Sequence, residues 1–233
     1  MPSTITLDEV TVSVSVPGGD LTLLKPTSLV LDQPRIALIG SNGSGKSTLA
    51  RLINGLIEPT TGRVTVDGLD TVDDGAAVRR RVGFVFTNPD AQLVMPTCIE
   101  DIALSLRRSI KTKKTRLAMA QDVLDRIGLG EKADTTVHAL SGGQKQMLAL
   151  AGVLATDPAI LVADEPTTLL DLRNTQLIAD QLFGLDQQLI LVTHDLDLAA
   201  RCDRALVVDD AAIAFDGEPA EAIDHYRRLA GVP

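Results

Sequence analysis

A glycine-rich segment at residues 40–48 is the part of this chain best suited to chemistry. It reads Gly-Ser-Asn-Gly-Ser-Gly-Lys-Ser-Thr, follows the apolar run 35–39, and fits the phosphate-loop pattern G-x-x-x-x-G-K-[ST]. Small glycines let successive backbone N–H groups face inward, and the positive end of the next helix favours a bound anion. The segment therefore predicts a site for a nucleoside triphosphate, in preference to an ordinary glycine-rich turn.

The loop offers two side chains for specific roles beside its backbone. We expect Lys46 to reach the β- and γ-phosphates and Ser47 to give its hydroxyl to Mg²⁺, which prefers octahedral oxygen ligands. The residues predicted to bind the nucleotide are Gly40, Ser41, Asn42, Gly43, Ser44, Gly45, Lys46, Ser47 and Thr48.

Two apolar strand-like runs end in side chains that suit phosphate hydrolysis. The run 159–163 delivers Asp164 and Glu165 just before a proline, and the run 189–193 ends at His194. We expect Asp164 to join the Mg²⁺ shell, and Glu165 to orient and deprotonate the attacking water. Because ligands bind at the carboxyl ends of parallel strands, His194 is predicted to contact the γ-phosphate or the water. A purely structural histidine is the alternative.

A second glycine motif lies a hundred residues further along the chain. Ser141, Gly142, Gly143 and Gln144 begin an apolar helix, and the serine and glutamine fit a capping box. A cap does not need two adjacent glycines, whereas close approach of the backbone to a phosphate does. Two copies of the chain meeting head to tail would let each give this segment to the other's nucleotide. We therefore predict a two-fold dimer that holds two nucleotides.

Hydrophobic periodicity indicates an α/β fold with a mostly parallel sheet and flanking helices. Alternating segments predict strands at 5–16, 29–31, 35–39, 63–66, 82–86, 159–163, 189–193, 204–208 and 211–215. Apolar residues at three- and four-residue spacing predict helices at 99–106, 115–127, 144–154, 172–182 and 219–229. We predict a single domain whose nucleotide-binding core comprises 1–87 and 156–233, with 88–155 as an inserted helical subdomain.

Composition narrows the classes of protein that fit. The chain has 233 residues and a formal charge of −9, and such an acidic balance argues against a nucleic-acid partner. No apolar stretch approaches the length of a bilayer span and the start lacks a signal-peptide pattern, so a cytoplasmic protein is expected. Cys98 and Cys202 stand apart from any other Cys or His cluster, which predicts plain buried thiols.

One basic cluster contrasts with this acidic chain. Its members, all between two predicted helices or on the second of them, are Arg107, Arg108, Lys111, Lys113, Lys114 and Arg116. A solvated helix–loop surface explains the cluster, and contact with anionic lipid headgroups is the alternative.

The order of these motifs resembles that of ATP-binding-cassette (ABC) ATPases along nearly the whole chain. The resemblance implies a phosphate-loop NTPase sheet with an N-terminal antiparallel β region, and ATP with Mg²⁺ as ligands. It implies that the segment 141–144 is the signature motif acting in trans, that Glu165 is the catalytic base and that His194 is the switch histidine. Asp171, after Thr-Thr-Leu-Leu, would couple the two sites of the dimer.

Within that family, residues 86–103 are similar to the ATPases of energy-coupling-factor (ECF) importers for vitamins or metal ions, chiefly through Asn-Pro-Asp-x-Gln at 88–92. The resemblance implies a peripheral protein on the cytoplasmic face of the membrane. Its partners would be a second ATPase subunit, expected to be an identical chain, a transmembrane coupling protein and a small substrate-binding membrane protein. Biotin is the first expected substrate, and cobalt or nickel the second. A groove beside 88–101 would receive the coupling protein, with Asp90, Glu100 and Asp101 as candidates to meet basic residues there.

Two positions depart from the family pattern. Thr87 stands where the family usually has a glutamine that reaches the Mg²⁺ and the water, and Val16 stands where an aromatic ring usually stacks on adenine. An ATPase from another ABC transporter is an alternative to the ECF type. A soluble cassette ATPase of DNA repair or translation is a further one, although long coiled-coil insertions or a second cassette do not fit in this length.

Overall fold

Residues 2–231, the part of the chain that the computed structural model describes, form ten strands and eight α-helices. The strands are β1 (Ile5–Val16), β2 (Gly19–Leu31), β3 (Arg35–Ile39), β4 (Thr61–Val66), β5 (Leu69–Asp70), β6 (Val82–Val85), β7 (Ile160–Asp164), β8 (Gln188–Val192), β9 (Arg204–Asp209) and β10 (Ala212–Gly217). The helices are α1 (Lys46–Ile53), α2 (Gly75–Arg81), α3 (Cys98–Ser105), α4 (Lys113–Arg126), α5 (Gly142–Leu154), α6 (Leu172–Phe183), α7 (Leu196–Ala199) and α8 (Pro219–Leu229). Short 3₁₀ turns cover Pro89–Ala91, Gly130–Lys132 and Val137–Ala139.

Contacts between residues divide the chain into two units. Of the described residues, the first unit contains 2–82, the segment Ala159–Glu165 and 186–231. The second unit contains Gly83–Pro158 and Pro166–Leu185.

The first unit is built on a sheet with the strand order β10-β9-β3-β8-β7. Strands β9, β3, β8 and β7 run parallel, and β10 pairs with β9 in the antiparallel sense. Every residue of β7 and β8 is buried, as expected for parallel strands covered on both faces. The register pairs Val192 with both Leu38 and Asp164, so the residues that follow β3, β7 and β8 share one edge of the sheet.

The same unit carries a second, antiparallel sheet near the N-terminus. Its strand order is β2-β1-β4-β5, and the long hairpin β1–β2 pairs from Ile5 with Leu31 to Val16 with Gly19. The sequence predicts β2 only over 29–31, whereas the strand begins at Gly19. The earlier residues were missed because most of them are exposed and include Lys25 and Pro26, which hide the alternating pattern.

The second unit is mainly helical. Helices α3, α4 and α5 surround an apolar cluster of side chains: Leu93, Cys98, Ile102, Ala103, Leu106, Ala120, Leu124, Leu129, Ala133, Val137, Leu140, Leu148, Ala149 and Ala151. Within the described residues, no helix combines the length and apolar character needed to cross a bilayer.

The predicted fold class, a mostly parallel α/β sheet with flanking helices, is confirmed. The predicted helices all form, each within two residues of its expected ends. Helix α2 was not predicted, because its seven residues are too few to show a helical period and three of them are arginines.

Candidate active site

The phosphate-loop segment forms the turn between β3 and α1, as its sequence predicts. Gly40 has φ +147°, and a Cβ atom at that position would lie 2.1 Å from the carbonyl oxygen of Val208. Gly45 has φ +110° and caps the N-terminus of α1. An L-residue with a side chain rarely adopts these backbone angles, so the turn requires glycine at both positions.

Lys46 lies across this loop. Its Nζ donates hydrogen bonds of 2.8 Å to the carbonyl oxygens of Gly40 and Ser41, and the residue is only 5% exposed. Burial lowers the pKa of Lys46, while the nearby carboxylates of Glu165 and Asp164 act in the opposite direction. Both hydrogen-bond acceptors are neutral, so the loop holds a buried positive charge where a phosphate would lie.

Asp164, the last residue of β7, is buried beside α1. Its Oδ1 accepts a 2.9 Å hydrogen bond from Ser47 Oγ, and its Oδ2 lies 3.6 Å from an Nη atom of Arg51. Burial raises the pKa of the Asp164 carboxyl, and the hydrogen bond from Ser47 and the charge of Arg51 offset this only in part. The half-buried hydroxyl of Ser47 and the buried carboxylate of Asp164 are in contact and form an oxygen donor set that suits Mg²⁺.

Glu165 and His194 come together at the same sheet edge. Glu165 adopts a left-handed backbone conformation with φ +52°, and its N–H donates to the carbonyl oxygen of Val192 at 3.0 Å. The Nδ1 atom of His194 lies 2.7 Å from Oε2 of Glu165. A non-glycine residue with positive φ carries a conformational cost, and such residues concentrate at functional sites.

The segment Ser141–Gln144 lies in the second unit and starts α5. Both bonds of the predicted capping box are present: the Gln144 N–H donates to Ser141 Oγ, and the Ser141 N–H donates to Gln144 Oε1. Lys132 Nζ also donates to Gln144 Oε1, at 3.1 Å. Gly142 is exposed, whereas Gly143 is buried, so the two adjacent glycines have different surroundings.

Asp171 caps α6 in the same unit. Its Oδ1 accepts the backbone N–H of Asn174 at 2.8 Å, and its Oδ2 accepts a hydrogen bond from Asn174 Nδ2 at 3.0 Å. The sequence predicts a coupling role for Asp171 but gives no signal for Asn174, because a side-chain partner three residues away is common at any helix start.

The stretch 88–92 is tied to α5 by side-chain hydrogen bonds. Gln92 accepts the N–H of Phe86 at 3.1 Å and donates to the carbonyl oxygen of Ala149 at 3.3 Å. Asp90 forms an ion pair of 2.7 Å with Lys145. Both the oxygen and the nitrogen of the Gln92 amide are therefore hydrogen-bonded to backbone groups of the second unit.

Asp101, the third carboxylate expected at the docking groove, also has internal partners. It is 7% exposed and accepts the backbone N–H groups of Val94 and Met95 at 2.9 and 3.0 Å. Glu100 accepts a hydrogen bond from Thr97 Oγ1 at 2.9 Å. All three candidate carboxylates therefore have partners inside the chain.

The two cysteines have the surroundings that their isolation in the sequence predicts. Both are free and buried. Burial raises the pKa of Cys202 to about 12 and also raises that of Cys98. Among residues 2–231, no group of three or more His, Cys, Asp or Glu side chains is placed to hold a metal ion. The contact between Ser47 and Asp164 brings a hydroxyl oxygen and a carboxylate oxygen together.

A glycine-rich loop between a buried strand and a helix, with carboxylates at a neighbouring strand end, defines the class of phosphate-loop nucleotide hydrolases. The family model described as ABC transporter matches residues 24–168. The chain belongs to the ABC transporter family.

Relatives that align along most of the chain have related printed names. A putative ABC transporter ATP-binding protein of Deinococcus radiodurans is 50% identical over 88% of this chain and 91% of the relative. The biotin transport ATP-binding protein BioM of Rhizobium etli is 46% identical over 94% of this chain and 97% of the relative. The energy-coupling factor transporter ATP-binding protein EcfA1 of Halalkalibacterium halodurans is 38% identical over 83% of this chain and 72% of the relative.

Solved structures agree with this family. The dimeric post-hydrolysis state of the ATP-binding cassette MJ0796, bound to ADP and Pi, superposes with a TM-score of 0.83 at 29% identity, covering 92% of this chain and 98% of that one. CbiO1 from Clostridium perfringens, part of the ABC transporter complex cbiONQ, gives a TM-score of 0.79 at 28% identity, covering 97% of this chain and 93% of that one. The predicted ABC-type ATPase is confirmed, and so is the resemblance to the ECF type.

Proposed function

We propose that this chain is the ATP-binding and ATP-hydrolysing subunit of an ECF-type importer, with biotin as the first candidate substrate and cobalt or nickel as the second. The observation that carries the proposal is the meeting of Lys46, the Ser47–Asp164 pair and Glu165 with His194 at one edge of the sheet. The relatives named BioM and EcfA1 support transport as the process that the ATPase drives.

In this mechanism the loop residues 40–48 bind the triphosphate. Backbone N–H groups and the N-terminus of α1 face the phosphates, and Lys46 adds its charge at the β- and γ-phosphates. Ser47 and Asp164 would hold Mg²⁺, since their contacting oxygens form a fitting donor set. A bound Mg²⁺ supplies neutralisation of phosphate charge.

Glu165 acts as the general base. Its carboxylate takes a proton from the water that attacks the γ-phosphate, and the bond from that phosphorus to the bridging oxygen breaks to leave ADP. His194 positions this carboxylate through the 2.7 Å contact and faces the γ-phosphate with the rest of its ring. The left-handed backbone conformation of Glu165 sets the direction in which its side chain leaves the main chain.

The segment Ser141–Gln144 completes the site of a second copy of the chain. Ser141 and the exposed Gly142 offer a hydroxyl and an open backbone at the N-terminus of α5, which suits a phosphate of the opposite nucleotide. Asp171 couples the two sites. The dimeric MJ0796 cassette supports a dimer, and we propose a homodimer because this chain carries both halves of the site.

A cavity in the second unit is the proposed docking groove for the transmembrane coupling protein. Its volume is about 280 Å³, and it is lined by four apolar side chains, by Glu100 and by the cations Arg107, Lys113 and Arg116. Within residues 2–231, none of these three cations forms an ion pair with a carboxylate. Lys113 and Arg116 lie in the first turn of α4, where positive charge opposes the helix dipole, so helix stability does not explain them.

The coupling segment that fits this groove is apolar on one side and carries carboxylates. This reverses the charge expected from the sequence, since all three candidate acidic residues have internal partners. Contact with anionic headgroups is the alternative for the basic cluster around the groove.

The test is mass spectrometry of proteins that co-purify with the tagged chain from mild-detergent extracts of native membranes. We expect a coupling protein together with a small, very hydrophobic membrane protein. The variant Lys113→Glu should lose both, whereas Lys111→Glu, which reverses a charge outside the groove lining, should retain them. Recovery only from the soluble fraction, with ribosomes or repair factors, would refute the transport proposal.

A further inference from the structure

The side chain of Asn174, in the first turn of α6, packs against Gly143 in the first turn of α5. Gly143 is buried, and a Cβ atom at that position would lie 2.4 Å from Cγ, 2.5 Å from Oδ1 and 2.8 Å from Nδ2 of Asn174. The amide of Asn174 therefore occupies the space that any side chain at position 143 would need. This contact accounts for the second glycine of the pair, while Gly142 is left exposed.

The same amide also holds a carboxylate. Asn174 Nδ2 donates to Asp171 Oδ2 at 3.0 Å, while the Asn174 backbone N–H donates to Oδ1 at 2.8 Å. Both oxygens of Asp171 are therefore bound by one residue, and the direction of the carboxylate is fixed by it.

We infer that Asn174 is a positioning residue for ATP hydrolysis, because its contacts fix the Asp171 carboxylate relative to the Ser141–Gly143 turn. The inference rests on the proposed function, in which the Ser141–Gln144 segment completes the partner's site and Asp171 couples the two sites. A displacement of either by about an ångström is expected to slow a reaction that depends on aligned groups.

Capping alone does not explain the arrangement. A helix cap needs only the bond from the Asn174 backbone to Asp171 Oδ1, which any residue at position 174 except proline supplies. The side-chain bond and the contact with Gly143 are additional. Aspartate at this position would place two carboxylates together, and glutamine would extend its amide into the buried glycine.

The experiment compares Asn174→Ala and Asn174→Asp in the full-length chain purified with its membrane partners. The matched control is Gln176→Ala, which removes a hydrogen bond of 2.8 Å from the side-chain amide of Gln176 to Asp180 in the same helix. Steady-state ATP turnover, the Hill coefficient for ATP and the melting temperature are measured for each variant.

We expect Asn174→Ala to lower kcat about tenfold and to reduce the Hill coefficient, with a melting temperature equal to that of the control. Asn174→Asp should lower kcat further. In the double variant Asp171→Ala/Asn174→Ala, the fold-loss of kcat should be smaller than the product of the fold-losses of the two single variants. Turnover and cooperativity of Asn174→Ala equal to those of Gln176→Ala would overturn the role of Asn174. An inactive wild-type complex would instead refute the proposed function.

Discussion

The imidazole of His194 contacts the carboxylate of Glu165 directly, with Nδ1 2.7 Å from Oε2. An ionised carboxylate only accepts hydrogen bonds, so the contact requires the proton of the ring on Nδ1. Nε2 is then left to meet the γ-phosphate or water. The side chain of Glu165 is only 14% exposed while that of His194 is 56% exposed, so the histidine is the member of the pair that a ligand reaches first.

Replacement of Asp164 by asparagine should stabilise the ligand-free chain while abolishing hydrolysis. Burial raises the pKa of the Asp164 carboxyl, which means that its charge disfavours the folded state at neutral pH. Asparagine retains an oxygen that accepts the bond from Ser47. We expect the melting temperature of Asp164→Asn to rise by about 2 °C, and ATP turnover to be lost.

The difference in melting temperature between Asp164→Asn and the wild type should depend on pH, because the pKa of Asp164 is raised. The pKa of Asp164 is higher in the folded chain than in the unfolded chain, so the folded state binds this proton more tightly and gains stability as the pH falls through the raised pKa. The melting-temperature gap between variant and wild type should therefore be largest at neutral pH and shrink on acidification. A gap that widens below neutral pH would contradict the raised pKa.

Nucleotide selection should depend on Val16. It ends β1 and is exposed, and Val14 and Leu21 lie on the same side of the hairpin as exposed aliphatic neighbours. An aromatic ring that stacks on a base contributes roughly 1 to 3 kcal/mol, which valine does not supply. We expect the wild type to bind ATP and GTP comparably in equilibrium titrations, and Val16→Tyr to bind ATP more tightly. A strong ATP preference in the wild type would contradict this expectation.

Thr87 should limit the rate of hydrolysis. It stands where the family usually has a glutamine, and its side chain is too short to reach the same distance. Gln92 does not replace that glutamine, because its amide is bound to Phe86 and Ala149. We expect Thr87→Gln to raise kcat several-fold, with Thr87→Ser as the control that keeps a short hydroxyl. Equal turnover in all three proteins would show that this position does not limit the reaction.

The strands and the motif positions were predictable because each depends on neighbours in the sequence. A buried apolar strand followed by Asp164 and Glu165, or a glycine loop after β3, is visible without knowledge of the fold. The parallel topology then brings His194 to the same edge, since the carboxyl ends of parallel strands lie together.

Contacts between segments far apart in the sequence were not predictable. Asn174 meets Gly143 across 31 residues, and the local pattern around each residue already has a simple explanation as a helix start. The ion pair between Lys145 and Asp90 was not predictable either, because the sequence around Lys145 indicates only that it lies in a helix. The sequence therefore indicates Asp90 and Asp101 as carboxylates for a docking groove, where the structure shows one internal ion pair and one buried carboxylate.

The most direct test of the account is the ATP turnover of Glu165→Gln beside that of the wild type. The amide keeps the size of the side chain but does not accept the water proton, so turnover should fall by about 10²- to 10⁴-fold while ATP still binds. ATP-bound dimers should then accumulate. Undiminished turnover in Glu165→Gln would remove Glu165 as the base and contradict the mechanism proposed for this site.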